Sequence, residues 1–208
     1  MLHGYRLPLL AVFFILGGCA GFNQQECQVA DWRTVGFTDG AAGRPVSAIG
    51  GYRQDCSKYG IAPNLDSYRQ GYDAGVREFC TPGKGFEFGS QGGQYSGMCP
   101  ADLEPAFLTA YHDGHHLYEL QSALSSTNRQ IAYDQTEIDR LKKATVAQSV
   151  AIISDDTKAS ERVALLAKTA ENSRRQGELE KEIGRLESSR ALQERELSDY
   201  QSTVANRF

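Results

Sequence analysis

Three histidines stand close together in one segment of this sequence, His112-Asp113-Gly114-His115-His116. If the segment is helical, His112 and His116 are one turn apart with their imidazoles on the same face, a spacing that also occurs in zinc peptidases. The glutamate that follows the first histidine in those enzymes is absent, and no distant third ligand can be identified. His112 and His116 are therefore weak metal candidates, and the simpler interpretation is a helix surface that carries three histidines.

Three aspartates, Asp39, Asp73 and Asp113, come from repeated glycine-containing segments. Carboxylates that converge in pairs can act as general acid and general base. However, Asp73 is one position out of register with the other two, and Asp-Gly pairs are common at turns and helix ends. We expect these side chains to accept hydrogen bonds from nearby backbone, tyrosine or arginine groups. We therefore assign no catalytic residue and expect no cofactor.

The repeated segments share a five-residue pattern: small, aromatic, any residue, Asp or Ala, Gly. The copies are Gly36-Phe37-Thr38-Asp39-Gly40, Gly71-Tyr72-Asp73-Ala74-Gly75 and Ala110-Tyr111-His112-Asp113-Gly114. Each glycine inside a helix costs about 1 kcal/mol relative to alanine, so glycines at i and i+4 indicate that another backbone approaches that face. The pattern therefore predicts close helix packing.

Short helices are predicted around these repeats. Asp31 can cap the first, which ends before Pro45; the second covers residues 47–59, and Asn64 can cap the third. These helices are amphipathic and are joined by tight turns.

The segment 83–97 has a different character, because six glycines alternate with Phe86, Phe88 and Tyr95. This alternation predicts a small β-hairpin or a compact loop. Asp102 can then cap the next helix, which carries Pro105 in its first turn.

The first 18 residues predict a secretory signal peptide. Arg6 precedes the apolar run 7–16, which is about half of the ~20 residues that cross a bilayer as a helix. The run ends in Leu16-Gly17-Gly18-Cys19, which resembles the bacterial lipoprotein box, where the cysteine is acylated and becomes the first mature residue. Several acyl chains on Cys19 would give a stable anchor. The alternative is an ordinary signal peptide with Cys19 incidental.

Four cysteines remain besides Cys19, an even number that predicts two disulfides in an exported protein. A zinc site is the weaker alternative because no Cys-x-x-Cys pair exists. Three connectivities are possible. If the first two helices form an antiparallel hairpin, Cys27 lies beside Cys56, whereas Cys80 and Cys99 flank one loop, and we choose these two pairs.

Heptad spacing predicts a coiled coil in the C-terminal half. The apolar positions are Leu117, Leu120, Leu124, Ile131, Ile138, Leu141 and Ile152, followed by Leu179, Ile183, Leu186, Leu197, Tyr200 and Val204. Thr145, Gln148 and the stretch 154–157 interrupt this spacing, which fails over residues 148–160. One continuous helix over 103–205 would measure roughly 150 Å. We favour a hairpin of two helices that turns near Ser154 to Thr157, with Asp155 capping the returning helix.

The expected fold is mostly α: a small disulfide-stapled domain of short helices with a glycine-rich loop or hairpin, then a long coiled-coil tail that forms an antiparallel hairpin. The expected divisions are a signal peptide at 1–18, a lipidated tether at 19–26, a Cys/Gly/aromatic repeat domain at 27–116 and the helical tail at 117–208.

The lipoprotein box, the glycine-aromatic repeats, the stretch Tyr95-Ser96-Gly97-Met98-Cys99-Pro100 and the helical tail together resemble the proteobacterial domain-of-unknown-function family 2799, which consists of small envelope lipoproteins. The resemblance covers roughly residues 19–119. It implies a Gram-negative envelope location and brings no activity. Ala20 follows the cysteine in place of the aspartate that retains lipoproteins in the inner membrane, which favours the outer membrane, facing the periplasm.

Charge and composition narrow the possible partners. The net charge is -4 and basic residues are dispersed among acids, so we expect no nucleic acid. We expect a lipid-anchored protein with a structural or adaptor role, whose coiled coil contacts a protein partner or itself. The alternative is an envelope hydrolase, or a metal- or ligand-binding protein, that uses the repeat aspartates and histidines.

Overall fold

The computed structural model describes residues 21–205 and 207, and all regular structure in this part of the chain is helical. Two compact units divide between Phe79 and Cys80. The first unit contains α1 (Gln24–Val29), α2 (Trp32–Ala41), a 3-10 turn (Val46–Ala48), α3 (Ile49–Ser57) and α4 (Leu65–Phe79). The second contains α5 (Pro82–Ser90), α6 (Glu104–Ile153) and α7 (Ala159–Ala205). The mostly α fold class is confirmed.

Glycines bring α2 and α4 unusually close together in the first unit. A methyl group added at Gly36 would overlap the carbonyl oxygen of Tyr68, and one added at Gly71 would overlap that of Arg33. A helix pair with any larger residue at these positions would have to separate, because interiors are already close-packed. The prediction that a second backbone approaches the repeat glycines is confirmed.

Local signals set the ends of these helices. The Asp31 side chain accepts a hydrogen bond from the Arg33 amide at 3.1 Å, and the Asn64 side chain accepts one from the Ser67 amide at 2.9 Å, so both predicted N-caps are present. At its other end α2 stops at Ala41, and two residues later Gly43 has a φ of +68°, which only glycine adopts readily. The Arg44 amide then bonds the Asp39 carbonyl at 2.9 Å, which closes a Schellman turn.

The second unit corrects the prediction for the first half of the glycine-rich segment, whereas residues 91–99 contain neither helix nor strand, in agreement with the loop alternative. Residues 82–90 form helix α5 instead of a β-hairpin or loop, with Pro82 in the first turn and Thr81 as N-cap. Gly85 and Gly89 are one helical turn apart, and methyl groups added there would overlap carbonyl oxygens of α6. The glycines therefore permit helix packing here, and the alternating aromatics do not mark a strand.

Helices α6 and α7 form an antiparallel hairpin, and the predicted turn is confirmed. Near its base, the Tyr200 hydroxyl donates to the backbone oxygen of Asp113 at 2.9 Å. Near its turn, the Thr169 hydroxyl donates to Gln148 Oε1 at 3.1 Å. With 50 residues in α6, the hairpin is about 75 Å long at 1.5 Å per residue.

Two predicted caps differ from the structure. Helix α7 begins at Ala159, so Lys158 rather than Asp155 precedes its first residue. The Arg162 side chain instead holds the turn by donating to the backbone oxygens of Thr157 and Ser154, at 3.0 and 2.8 Å. Helix α6 follows Leu103 directly, which makes no side-chain cap, so Asp102 is not its N-cap.

Among the described residues, each unit contains one disulfide. The bonds join Cys27 to Cys56 and Cys80 to Cys99, with a Cα separation of 5.6 Å in each, and these are the pairs chosen from the helix order. Within residues 21–205, no helix combines the length and the apolar character needed to cross a bilayer. Cys19 and the signal segment lie outside the described residues.

Candidate functional site

A buried carboxylate lies between α2 and α4 in the first unit. Asp39 is only 2% exposed. Its Oδ2 accepts a hydrogen bond from the Tyr68 hydroxyl at 2.7 Å. Its Oδ1 accepts bonds from the Tyr52 hydroxyl at 3.1 Å and from Arg44 Nη1 at 3.2 Å. We call these four residues the Asp39 cluster.

The cluster forms because the helices deliver its members from separate parts of the chain. Asp39 directly precedes Gly40, whose missing side chain lets α4 approach and brings the Tyr68 hydroxyl to the carboxylate. Arg44 comes from the turn that ends α2, and Tyr52 from α3. The cluster therefore connects three helices of the first unit.

The electrostatics of the cluster favour hydrogen bonding over proton transfer. Burial raises the pKa of Tyr68, and the hydrogen bond to Asp39 and the negative charge of that residue raise it further. Burial, then the charge of Asp39, likewise raises the pKa of Tyr52. Both tyrosines therefore stay protonated, and their hydroxyls donate hydrogen bonds to Asp39. The carboxylate is thus satisfied by partners within the fold, as a buried charge requires.

Aromatic rings extend this cluster toward the start of the described chain. The Phe22 ring lies 4.8 Å from Tyr52 and 5.8 Å from Trp32, measured between centroids. The Phe22 amide also donates to Asp55 Oδ2 at 3.2 Å. Because α1 begins at Gln24, the folded part starts inside the stretch expected to be a tether.

The other repeat aspartates have different surroundings. Asp73 is exposed on the surface of α4. Asp113 accepts a bond from Arg207 Nη1 at 2.9 Å, and its backbone oxygen accepts one from Tyr200. The three carboxylates therefore lie in different surroundings, and the described residues supply no paired acid and base from them.

The histidines of α6 lie on its surface. His112 and His116 are exposed, and the His116 ring packs edge-on against Tyr200 at 4.6 Å between centroids. Glu119 lies 3.6 Å from His116 Nδ1 and 3.4 Å from His115 Nδ1. Within the described residues no group of three or more potential ligands is arranged to hold a metal ion.

Sequence reasoning missed a fourth copy of the repeat, Gly85-Phe86-Glu87-Phe88-Gly89. It forms α5 and packs against the third copy in α6, just as the first copy packs against the second. The signal was present in the sequence, since this segment matches the pattern at every position except the fourth. Phenylalanine stands there where the first copy has Asp39.

A buried acid in the hairpin was also missed. Asp134 is 3% exposed; its Oδ1 accepts a bond from Gln130 at 2.9 Å, and its Oδ2 has no partner within the described residues. It occupies a heptad position between Ile131 and Ile138. A charged residue in that register was the available signal, because seams are otherwise apolar.

Comparison with known proteins gives one result. Residues 31–116 match the model of a family described as a protein of unknown function (DUF2799). This confirms the resemblance found in the sequence. The chain matches no curated protein and no solved structure.

Proposed function

We propose that this chain, whose residues 31–116 match the model of the DUF2799 family, is an acylated lipoprotein of the outer membrane that presents a helical hairpin to protein partners in the periplasm. Its role in this proposal is structural or adaptor-like. The observation that carries the proposal is the hairpin, which extends for about 75 Å and presents apolar side chains to solvent near its turn.

The length and surface of the hairpin support a binding role. Tyr200 meets α6 near the base and Thr169 meets it near the turn, so the two helices pair along nearly their whole length. Charged residues are frequent along both helices, yet Val150 and Ile153 near the turn are 60% and 78% exposed. Exposed apolar side chains in a cluster are typical of protein contact surfaces.

The start of the chain supports anchoring. Leu16-Gly17-Gly18-Cys19 has the form of a lipoprotein box at the end of a short apolar run. Phe22 already packs on Trp32, so only a few residues separate the acylated cysteine from the first unit. Three extended residues span about 10 Å, which would place this unit at the membrane surface.

The Asp39 cluster supports a structural role for the first unit. Its carboxylate and tyrosine hydroxyls bond one another, so the polar groups of the cluster hold helices together. A site for acid and base catalysis would instead need a proton acceptor that is directed toward a substrate.

The test of anchoring is Cys19→Ser in a producing cell, with Ala20→Ser as the matched control. We expect Cys19→Ser to abolish acyl labelling and to accumulate unprocessed precursor, whereas Ala20→Ser should be labelled normally. If Cys19→Ser is still processed and still fractionates with membranes, the anchoring proposal is wrong.

The test of the binding role is a photo-crosslinking residue introduced at Val150, compared with one at Glu180. Both positions are exposed on the hairpin, but only Val150 belongs to its apolar part. We expect discrete protein adducts from Val150 and none from Glu180. Equal labelling from both positions would contradict a binding role for the region near the turn.

A further inference from the structure

An apolar stripe lies on the outside of α6 where the hairpin turns. Val146, Val150 and Ile153 are 65%, 60% and 78% exposed. Their spacing of four and three residues places them on one face of the helix. We call these three residues the tip stripe. Helix α7 adds Val163 and Leu166 at the same end, 67% and 56% exposed.

One layer of the hairpin interior at this level is polar, whereas the exposed surface beside it is apolar. Gln148 Oε1 accepts hydrogen bonds from Thr169 Oγ1 at 3.1 Å and from Asn172 Nδ2 at 3.2 Å. Farther from the turn, Leu141 and Leu179 pack in a buried apolar cluster instead. A coiled coil normally buries its apolar residues and exposes its polar ones. The tip stripe is therefore apolar surface that the hairpin itself does not cover.

Opposite charges flank the stripe. Lys142 and Lys143 precede it on α6, and Asp155 and Asp156 follow it in the turn. All four side chains are exposed, and none forms an ion pair within the part of the chain that the structure describes. The lysines precede Val150 by eight and seven residues, and the aspartates follow it by five and six residues. On a helix such separations correspond to roughly 10 Å.

We propose that the tip stripe binds the tip stripe of a second copy of this chain, with the two α6 helices antiparallel about a two-fold axis near Val150. Reversing one helix about this axis places Val146 opposite Ile153 of the second copy and Ile153 opposite Val146. The same operation places the lysine pair of each copy opposite the aspartate pair of the other. A two-fold interface requires a self-complementary surface, and this order of charges and apolar residues provides one.

Helix α7 contributes to the same side. Val146 and Ile153 in α6 each follow a position of the buried heptad seam by one residue, and so does Val163 in α7. The three residues therefore share one heptad position. In an antiparallel pair this position lies on the same flank of both helices. The second copy therefore meets a surface made by two helices, and the contact becomes a bundle of four.

The charges also argue against a lipid surface as the occupant. Asp155 and Asp156 lie at the end of the hairpin that would have to enter an anionic membrane first, where like charges repel. In a pair of copies, the same two aspartates lie opposite the lysines of the second copy. The apolar surface consists of five exposed side chains, far fewer than the roughly 20–30 residues that each partner contributes to a stable interface, so association should be weak in solution. Copies held on one membrane would meet at high effective concentration; this last step alone rests on the proposed function.

Charge reversal tests the contact in the full mature chain carrying Cys19→Ser, which is not acylated. One variant carries Lys142→Glu and Lys143→Glu, and the other carries Asp155→Lys and Asp156→Lys. In sedimentation velocity we expect the parent chain to dimerise with a dissociation constant below about 1 mM. Each variant alone should lose at least about tenfold in association constant. Mixing the two variants restores both sets of opposite charges, so the mixture should dimerise again.

Glu180→Lys with Lys181→Glu, exposed positions far from the turn, is the control and should leave dimerisation unchanged. A second measurement uses Val150→Cys, which should form a disulfide between copies, whereas Tyr133→Cys, also exposed, should not. A parent chain that stays monomeric, or a mixture that fails to dimerise, would overturn the proposal. So would sedimentation of the chain with phosphatidylglycerol vesicles in place of dimerisation. Acyl labelling of Cys19 is read separately, so either proposal can fail without the other.

Discussion

The first unit and the second unit build the same helix pair from different residues. In the first, Gly36 and Gly71 let α2 meet α4; in the second, Gly85 and Gly114 let α5 meet α6. A tyrosine on the longer helix then donates to a carbonyl just beyond the end of the shorter one. These bonds are Tyr72 to Arg44 at 2.8 Å and Tyr111 to Gly93 at 3.0 Å.

The ends of the shorter helices also agree. Gly43 and Gly92 have φ of +68° and +75°, and the amide of the next residue closes a Schellman turn in each case. Ring pairs on the longer helices are stacked at similar centroid distances, 6.2 Å for Tyr68 with Tyr72 and 6.3 Å for Phe107 with Tyr111. The agreement extends from backbone to side chains.

The two pairs differ in what fills the space between their helices. The first has the carboxylate of Asp39 bonded to Tyr68, whereas the second has Phe88 and Phe107 at the matching sequence positions. Because the backbone arrangement is shared, it does not require the carboxylate. The Asp39 cluster is thus an addition to the first unit, and its contribution can be measured against the apolar version.

The largest expected effect comes from closing the glycine contact. Gly71→Ala would place a methyl group on the Arg33 carbonyl, so α2 and α4 would have to move apart. We expect the free energy of unfolding of the first unit to fall by at least about 3 kcal/mol. Fluorescence of Trp32, the sole tryptophan of the sequence, during denaturant unfolding measures this unit specifically.

Gly51→Ala on α3 is the control for that substitution, because a methyl group there meets nothing within 4 Å. It should change the stability by less than about 1 kcal/mol, on the stabilising side. If both substitutions have the same effect, helix propensity and not close approach explains the glycines.

A smaller effect is expected from removing the carboxylate. Asp39→Ala leaves the buried Tyr68 hydroxyl without its acceptor, which should lower the free energy of unfolding by about 2 kcal/mol. Tyr68→Phe removes that orphaned hydroxyl. The double variant should therefore lose less free energy of unfolding than the two single variants together, by at least about 1 kcal/mol. Additive single effects, measured by the same fluorescence, would mean that the two groups act independently.

The smallest effect concerns alkaline pH. The pKa of Tyr68 is raised in the folded protein, whereas an unfolded tyrosine ionises near pH 10. Its contribution to stability is therefore complete below about pH 10 and is lost as the pH rises further. Between pH 10 and 11 this one residue should lower the free energy of unfolding by about 1 kcal/mol, and Tyr68→Phe should reduce the pH dependence by that amount. An unchanged pH dependence in Tyr68→Phe would show that other tyrosines carry it.

Much of the fold could be predicted because its signals are local. Asp31 and Asn64 indicate two helix N-termini, because an N-cap side chain bonds only to amides two or three residues ahead. The hairpin turn could be placed between Ser154 and Thr157 because the heptad spacing fails there. The disulfide pairs followed from helix order once the helices were placed.

What could not be predicted depends on contacts between distant segments. Segment 82–90 is short and rich in glycine, so its helix forms only because α6 packs against it, and such stabilisation is invisible in local propensity. The same holds for the aspartates. Asp39 and Asp73 differ by one position relative to the following glycine, about 100° around a helix, and that rotation buries one and exposes the other. The surroundings of Asp113 depended on where α7 would return.

The positions of the two disulfides determine how the chain could be cut. Cys27–Cys56 ends before Phe79, and Cys80–Cys99 begins immediately after it, so neither of these cross-links spans the boundary between the units. One hydrolysed peptide bond at that boundary would give two fragments that are not covalently joined, even under oxidising conditions. Each fragment would keep its own cross-link. After such a cut, no covalent bond would link the hairpin, with its own disulfide intact, to the first unit and the segment that follows Cys19.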